Sequence, residues 1–274
     1  MSAVPGMLRG LAVASLGGLA ACTTAPTQSG VLSDYSGLGA IEGRQTKKAE
    51  LRPQTPPAPG QPLVIETVGF TLEAAMAARV PPDESGLVLN EFARKLCLTL
   101  SERFEIVGTG DPQAYRLRAH VTELRETDRM AAAISAPLDI ASPIGARAPI
   151  GLGAFGAEIE LMSPQGVQVA ALVWRREADM TSTGASVSRI SDAYAFAGDA
   201  AEDFGELFEP PTAGQSAQRL AAGLLPDVGL KRGDEACAVY GRAQDALRAA
   251  TGFLPAPKLP PEWTDKGAAR PAAR

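Results

Sequence analysis

The stretch Leu89-Asn90-Glu91-Phe92-Ala93-Arg94-Lys95-Leu96-Cys97-Leu98-Thr99-Leu100-Ser101-Glu102-Arg103-Phe104 decides the fold. Its apolar positions Leu89, Phe92, Ala93, Leu96, Cys97, Leu100 and Phe104 recur in steps of three and four. That is the period of an α-helix with one apolar face, and such a face has to be buried against a second layer. Pro81-Pro82-Asp83 stops the preceding chain, and Asp83 or Ser85 is the expected cap.

The second layer is legible on both sides of the helix. Leu63-Val64-Ile65-Glu66-Thr67-Val68-Gly69-Phe70 reads as a buried strand, and Phe104-Glu105-Ile106-Val107 as a short one ended by Gly108 and Gly110. From Ala114 to Thr127 the residues alternate. Leu117, Ala119 and Val121 share one face, and Arg116, Arg118, His120 and Thr122 the other, the pattern of a strand with one wet side. Ala157 to Met162 and Val167 to Arg176 read as two more strands. Ser163-Pro164-Gln165-Gly166 joins them, with Pro and Gly placed as a type I turn followed by a bulge requires. A second amphipathic helix is predicted over 188–208, with Ile190, Ala193, Tyr194, Ala197, Ala201, Phe204 and Phe208 on its apolar face. Shorter helices are expected over 216–225 and 234–250, the latter stopped by Gly252 and Pro255.

No alternating strand–helix–strand series appears, so a doubly wound parallel sheet is not expected. The expected fold is α+β: a two-layer sandwich with a four- to five-stranded, mainly antiparallel sheet and helices packed on one face. The expected domain spans 63–225. An additional C-terminal helix within 226–252 and a Pro-rich tail over 253–274 follow it. Before it, 22–62 reads as a tether and extended linker, because Pro53, Pro56, Pro57, Pro59 and Pro62 crowd a stretch without apolar periodicity.

Composition narrows the function. The 274 residues carry 26 Lys+Arg against 31 Asp+Glu, a net charge of −5, which argues against nucleic acid as a partner. Aromatic residues are 5%, few for a stacking platform. A single histidine, His120, excludes a multi-histidine metal site.

Residues 1–21 have one charge, Arg9, then an apolar run from Leu11 to Leu19 of signal-peptide length. The run ends Leu19-Ala20-Ala21-Cys22, which resembles the bacterial lipobox at all four positions. The resemblance implies cleavage before Cys22, acylation of its thiol and amine, and a membrane partner reached through that lipid anchor. The mature chain then has 25 basic and 31 acidic residues, a net charge of −6, because only Arg9 is lost. Thr23 follows the cysteine where an aspartate would signal retention, so the resemblance implies an outer-membrane lipoprotein facing the periplasm.

Ser29-Gly30-Val31-Leu32-Ser33-Asp34-Tyr35-Ser36-Gly37-Leu38 follows a short polar tether. Taken alone it reads as a loop with a hydrophobic latch of Leu32, Tyr35 and Leu38. Together with the preceding lipobox it resembles the domain-of-unknown-function 3313 family of proteobacterial lipoproteins, over about residues 29–225. That family has no assigned activity. The order of elements also looks like the small periplasmic domain of the TolB amino-terminal region and of curli-secretion-type lipoproteins, an analogy of fold alone.

Candidates for chemistry are few. Gly151-Leu152-Gly153-Ala154-Phe155-Gly156 matches the dinucleotide fingerprint by letter, but a strand rather than a helix is expected after it, so it reads as a Gly-rich connection. Met130 to Phe155 is apolar but broken by Asp139, Arg147 and three prolines, which excludes a transmembrane helix. It reads as a covering connection, with a membrane-inserting hairpin as the sharper alternative. His120 beside Arg116, Arg118, Glu123 and Arg125 reads as part of a charged strand face, or else as a general base. Asp199, Glu202, Asp203, Glu206 and Glu209 read as a solvated helix face, or else as a divalent-cation site. No catalytic residue, cofactor or metal site is expected.

The expected function is a non-enzymatic, lipid-anchored lipoprotein that binds or assembles with an unidentified envelope protein or polymer. A subunit of an oligomeric envelope or secretion complex, and an envelope hydrolase using His120, are the alternatives. Once Cys22 is acylated, Cys97 and Cys237 remain as an even pair in an oxidising compartment, a candidate disulfide. Cys97 as a small buried hydrophobe is the other reading.

Overall fold

A computed structural model describes residues 26–42, 46–127, 153–178, 188–209, 234–241 and 260–265. The strands are β1 (Gly39–Glu42), β2 (Thr46–Leu51), β3 (Gln61–Phe70), β4 (Phe104–Ile106), β5 (Tyr115–Arg125), β6 (Ala154–Met162) and β7 (Gln168–Glu177). The helices are α1 (Leu72–Ala77), α2 (Pro82–Ser101), α3 (Ser191–Gly205), α4 (Asp234–Cys237) and α5 (Pro261–Thr264), with 3-10 turns at Glu206–Phe208 and Ala238–Tyr240.

The strands form one sheet in the order β1-β2-β7-β6-β5-β3-β4. Seven strands replace the four or five expected, and the additional two, β1 and β2, lie in the stretch read as linker. The reason is visible in β2. Its sequence Thr-Lys-Lys-Ala-Glu-Leu buries only Ala49 and Glu50, so it carries little apolar signal. Its place comes from its antiparallel ladder with β7, from Thr46↔Arg176 to Leu51↔Ala171. The Pro-rich stretch between β2 and β3 is also held. The Arg103 guanidinium donates twice to the Pro57 carbonyl, at 2.7 and 3.1 Å.

Four of the six ladders are antiparallel, and β3 runs parallel to both β4 and β5. One β-α-β unit, β3-α2-β4, therefore exists where no alternating series was expected. Ile106 at the end of β4 and Tyr115 at the start of β5 both stand level with Leu63. The chain crosses between two parallel strands at one level and needs no return helix.

Helix α2 buries Val88, Phe92, Ala93, Leu96, Cys97 and Leu100, while Phe104 already belongs to β4. Its cap differs from expectation. Pro81 is the N-cap residue, Pro82 opens the helix, and Asp83 sits in the first turn. Proline fits there because its missing N–H has no helical partner to lose. Helix α3 packs beside α2 with Ala193, Phe196, Ala197, Ala200, Ala201 and Phe204 buried. The core between helices and sheet includes Phe92, Phe155, Trp174 and Phe196, whose rings meet in edge and tilted contacts 5.4–6.4 Å apart. The β6–β7 turn forms as its residues dictate: Gly166 N donates to Ser163 O at 2.9 Å, with Gly166 at φ 77°.

The C-terminal part is described in two short stretches. Within the described residues the helical turns of 234–240 are followed by Gly241 at φ 84°, and the rest of the helix expected over 234–250 lies outside the described residues. In the tail read as extended, α5 forms over Pro261–Thr264. The signal segment with Cys22, the helix expected over 216–225 and most of the apolar connection 130–155 lie outside the described residues.

Candidate functional site: the strapped outer face of the sheet

The helices cover one face of the sheet, and residues 26–38 cover part of the other. On β6, Ala157, Ile159 and Leu161 point into the helix-side core, so Glu158 and Glu160 point outward. Both are nonetheless buried, at 0% and 1% exposure. In the ladders Glu158 stands opposite His120 and Val173, and Glu160 opposite Arg118 and Ala171. Isolated buried carboxylates would be costly, so donors must converge on them.

The donors come from the N-terminal strap. Ser29 N donates to Glu158 Oε1 at 2.5 Å, and Tyr35 Oη to Glu158 Oε2 at 2.5 Å. Ser33 N and Ser33 Oγ donate to the two oxygens of Glu160, at 2.8 and 3.0 Å. Gln168 Nε2 adds a donor to Glu160 at 2.9 Å, and Arg118 Nη1 lies 3.6 Å from it. The Tyr35 hydroxyl accepts from Leu32 N at 3.0 Å, which closes the strap on itself. Burial first, and the Glu158 carboxylate next, push the Tyr35 phenol above its ordinary range. Leu32 packs on Ala49, Ala171 and Val173, with Tyr35, Leu38 and Leu51 around them. The apolar latch thus lies on the sheet face.

His120 is half-buried on β5 at the rim of this site. Burial lowers its pKa, against the opposing pull of Glu160 and Glu158, while Arg118 adds to the lowering. Beside it, Arg116 and Arg118 both bind Glu66, at 2.9 and 2.8 Å. The hydrogen bond from Arg118 is the main reason the Glu66 carboxyl stays below its ordinary range. Arg175 of β7 binds Glu123 at 2.6 Å. The charged strand face is therefore a set of cross-strand pairs around a strapped pair of carboxylates.

The other candidates fall elsewhere. Gly156 lies inside β6, so the glycine triplet leads into a strand and offers no helix terminus to a pyrophosphate. On α3, Asp199 pairs with Arg176 at 2.6 Å. Asp203 accepts from Trp174 Nε1 at 2.7 Å and lies 3.5 Å from Lys48 Nζ. These acids tie the helix to β7 and β2. Among the described residues no group of three or more His, Cys, Asp or Glu side chains is placed to hold a metal ion.

A second buried polar cluster binds the C-terminal segment to the helices. Arg94 of α2, 5% exposed, pairs with Glu91 on its own helix and with Asp265 at 2.7 Å, and donates to Tyr194 Oη at 2.9 Å and to Tyr240 O at 3.3 Å. Burial works against the guanidinium's charge, yet Glu91 and Asp265 hold its pKa above the ordinary value. Tyr194 donates to Asp265 at 2.5 Å. Cys97 and Cys237 are disulfide-bonded beside this cluster, with their Cα atoms 5.7 Å apart. Sequence reasoning singled out neither Arg94 and Asp265 nor the carboxylates Glu158 and Glu160. The acids of Ala157-Glu158-Ile159-Glu160-Leu161 did alternate visibly, but the alternation alone reads as a solvent-facing side.

The fold is an α+β sandwich with a strapped outer face. The family model described as "Protein of unknown function (DUF3313)" matches residues 27–204, more than half of the chain and including the strap, and the chain belongs to this family. Among solved structures, a dodecamer of PelC from Paraburkholderia phytofirmans is similar at 13% identity and a TM-score of 0.35, covering 61% of this chain and 99% of that one. A point variant of the same PelC dodecamer gives 13% and 0.35, covering 60% and 98%. No curated protein matches the chain.

Proposed function

We propose that the protein is a lipid-anchored outer-membrane lipoprotein facing the periplasm, whose domain binds or assembles with another envelope component and performs no catalysis. The observation that carries this reading is the cysteine usage. Leu19-Ala20-Ala21-Cys22 marks one cysteine for acylation, and the other two form a disulfide across 140 residues. A disulfide of that kind belongs to an oxidising compartment. The outer face supports the non-catalytic part of this reading, because its polar side chains hold one another and the strap in place. Glu158 and Glu160 accept main-chain and hydroxyl hydrogens from residues 29–35, as a structural clasp does.

The test is metabolic labelling with radioactive palmitate. The natural chain takes up label, and Cys22→Ala loses it and leaves an unprocessed or soluble form. Label retained by Cys22→Ala overturns the anchor. In-vivo crosslinking from the domain surface then identifies the partner. A His120→Ala variant that stays folded and loses a complementable phenotype replaces the binding reading with the hydrolase.

A further inference from the structure

We infer that the end of the sheet carrying α1 is the surface that faces the membrane, with Leu72 and Met76 in contact with lipid. This rests on acylation of Cys22, proposed above. The first observation is the length of chain before the strap. Pro26 is already buried and Ser29 is bound to Glu158. From Cys22 to Pro26 the chain takes four residue steps and spans at most ~14 Å. An anchor that short holds against the bilayer the part of the domain where the strap begins.

The strap begins at the α1 end. Ser29 binds Glu158 and Ser33 binds Glu160, so the strap advances in the direction of β6. The residues before Ser29 therefore lie toward the first residues of β6. In the ladders that is the end at which Ala154 meets Arg125 and Glu177, and at which Phe70 of β3 meets Val121. Thr71 N donates to Val121 O at 2.9 Å, and α1 starts at the next residue.

The second observation is what α1 shows there. Ala74 is buried on its inner side, while Leu72 and Met76, four residues apart on one face, are 74% and 72% exposed. A large apolar pair on one helical turn gains by leaving water. Short amphipathic helices make this contact by sinking their apolar face to the boundary of headgroups and acyl chains. Exposed Arg79 lies three residues after Met76, just past the end of α1, and supplies a cation for lipid phosphate. At the far end of the sheet, Val167 in the β6–β7 turn is 60% exposed with no anchor near it.

The experiment places an environment-sensitive fluorophore on single cysteines introduced by Leu72→Cys, Met76→Cys or Val167→Cys in the full, acylated chain. Each variant is reconstituted into phosphatidylethanolamine–phosphatidylglycerol vesicles, and acylation is verified by mass. The inference expects a blue shift and quenching by lipid-borne nitroxide at 72 and 76, and neither at 167. With acylation verified, water-like emission at 72 and 76, or equal quenching at all three sites, overturns the inference and leaves the anchor standing. A blue shift that grows with protein concentration in detergent without vesicles means a second copy of the chain covers α1, and also overturns it. An unacylated Cys22 by mass removes the anchor, and the inference with it.

Discussion

The phenol of Tyr35 donates to Glu158 Oε2 at 2.5 Å, joining the N-terminal segment to the middle of the sheet across 123 residues. Two polar groups depend on that hydroxyl, since it also accepts from Leu32 N. Tyr35→Phe keeps the ring and removes both bonds, leaving a fully buried carboxylate one donor short. The expected loss is about 1–3 kcal/mol in urea denaturation. A midpoint unchanged from the natural protein would show that the Tyr35 hydroxyl contributes nothing to stability.

Arg94 and Asp265 form a buried pair 171 residues apart. Asp265→Asn removes one charge of a buried ion pair. Breaking such a pair costs roughly 3–5 kcal/mol where both groups are buried. The α5 segment is also expected to become protease-sensitive while the disulfide stays intact. Unchanged proteolysis there refutes the clasp.

The disulfide closes a sequence separation of 140 residues. The loop-entropy relation gives up to roughly 5 kcal/mol for a loop of this size, less any strain. Cys97→Ala combined with Cys237→Ala should lower stability by several kcal/mol, and dithiothreitol should lower the natural protein to the same level. Two reactive thiols in the denatured, unreduced chain would contradict the bond.

Gly153 is required by close packing. A Cβ at this position would stand 2.7 Å from Thr127 Oγ1 and 2.9 Å from the Cβ of Asp192. Asp192 accepts there from Thr127 Oγ1 at 2.8 Å and from Gly153 N at 3.1 Å. Gly153→Ala should cost about 1–3 kcal/mol through forced displacement of this buried cluster. Thermal denaturation checks it, and a melting temperature equal to the natural protein's contradicts the close packing.

His120 sets a pH dependence whose sign follows from burial. Its folded pKa lies below the ordinary 6.5. As pH falls through 6.5 the unfolded chain takes up a proton that the folded chain refuses, so this group's contribution to stability declines with falling pH and levels off below the folded pKa. Glu158, Glu160 and Arg118 face it, and the two carboxylates limit the drop. His120→Gln should flatten the pH profile of stability between 6.5 and the folded pKa. A profile steeper in the variant would contradict the assignment.

Local pattern determined most of the elements. The apolar steps from Leu89 to Leu100 specified α2, the alternation around Leu117, Ala119 and Val121 specified β5, and Ser163-Pro164-Gln165-Gly166 specified its turn, because period and turn chemistry act within a few residues. The short motif from Ser29 to Leu38 was legible as a latch, since Leu32, Tyr35 and Leu38 are apolar in a polar setting. Tertiary structure decided what those signals leave open. Strand β2 carries little apolar signal, and is a strand because β7 and β1 offer it ladders on its two edges. Glu158 and Glu160 carry no signal of burial in the sequence and are buried, because a segment more than 120 residues away supplies their donors. Asp265 reads as tail and is buried, because Arg94 needs a carboxylate. In each case the deciding partner is distant in sequence, and a buried charge is settled by the atoms that surround it in space.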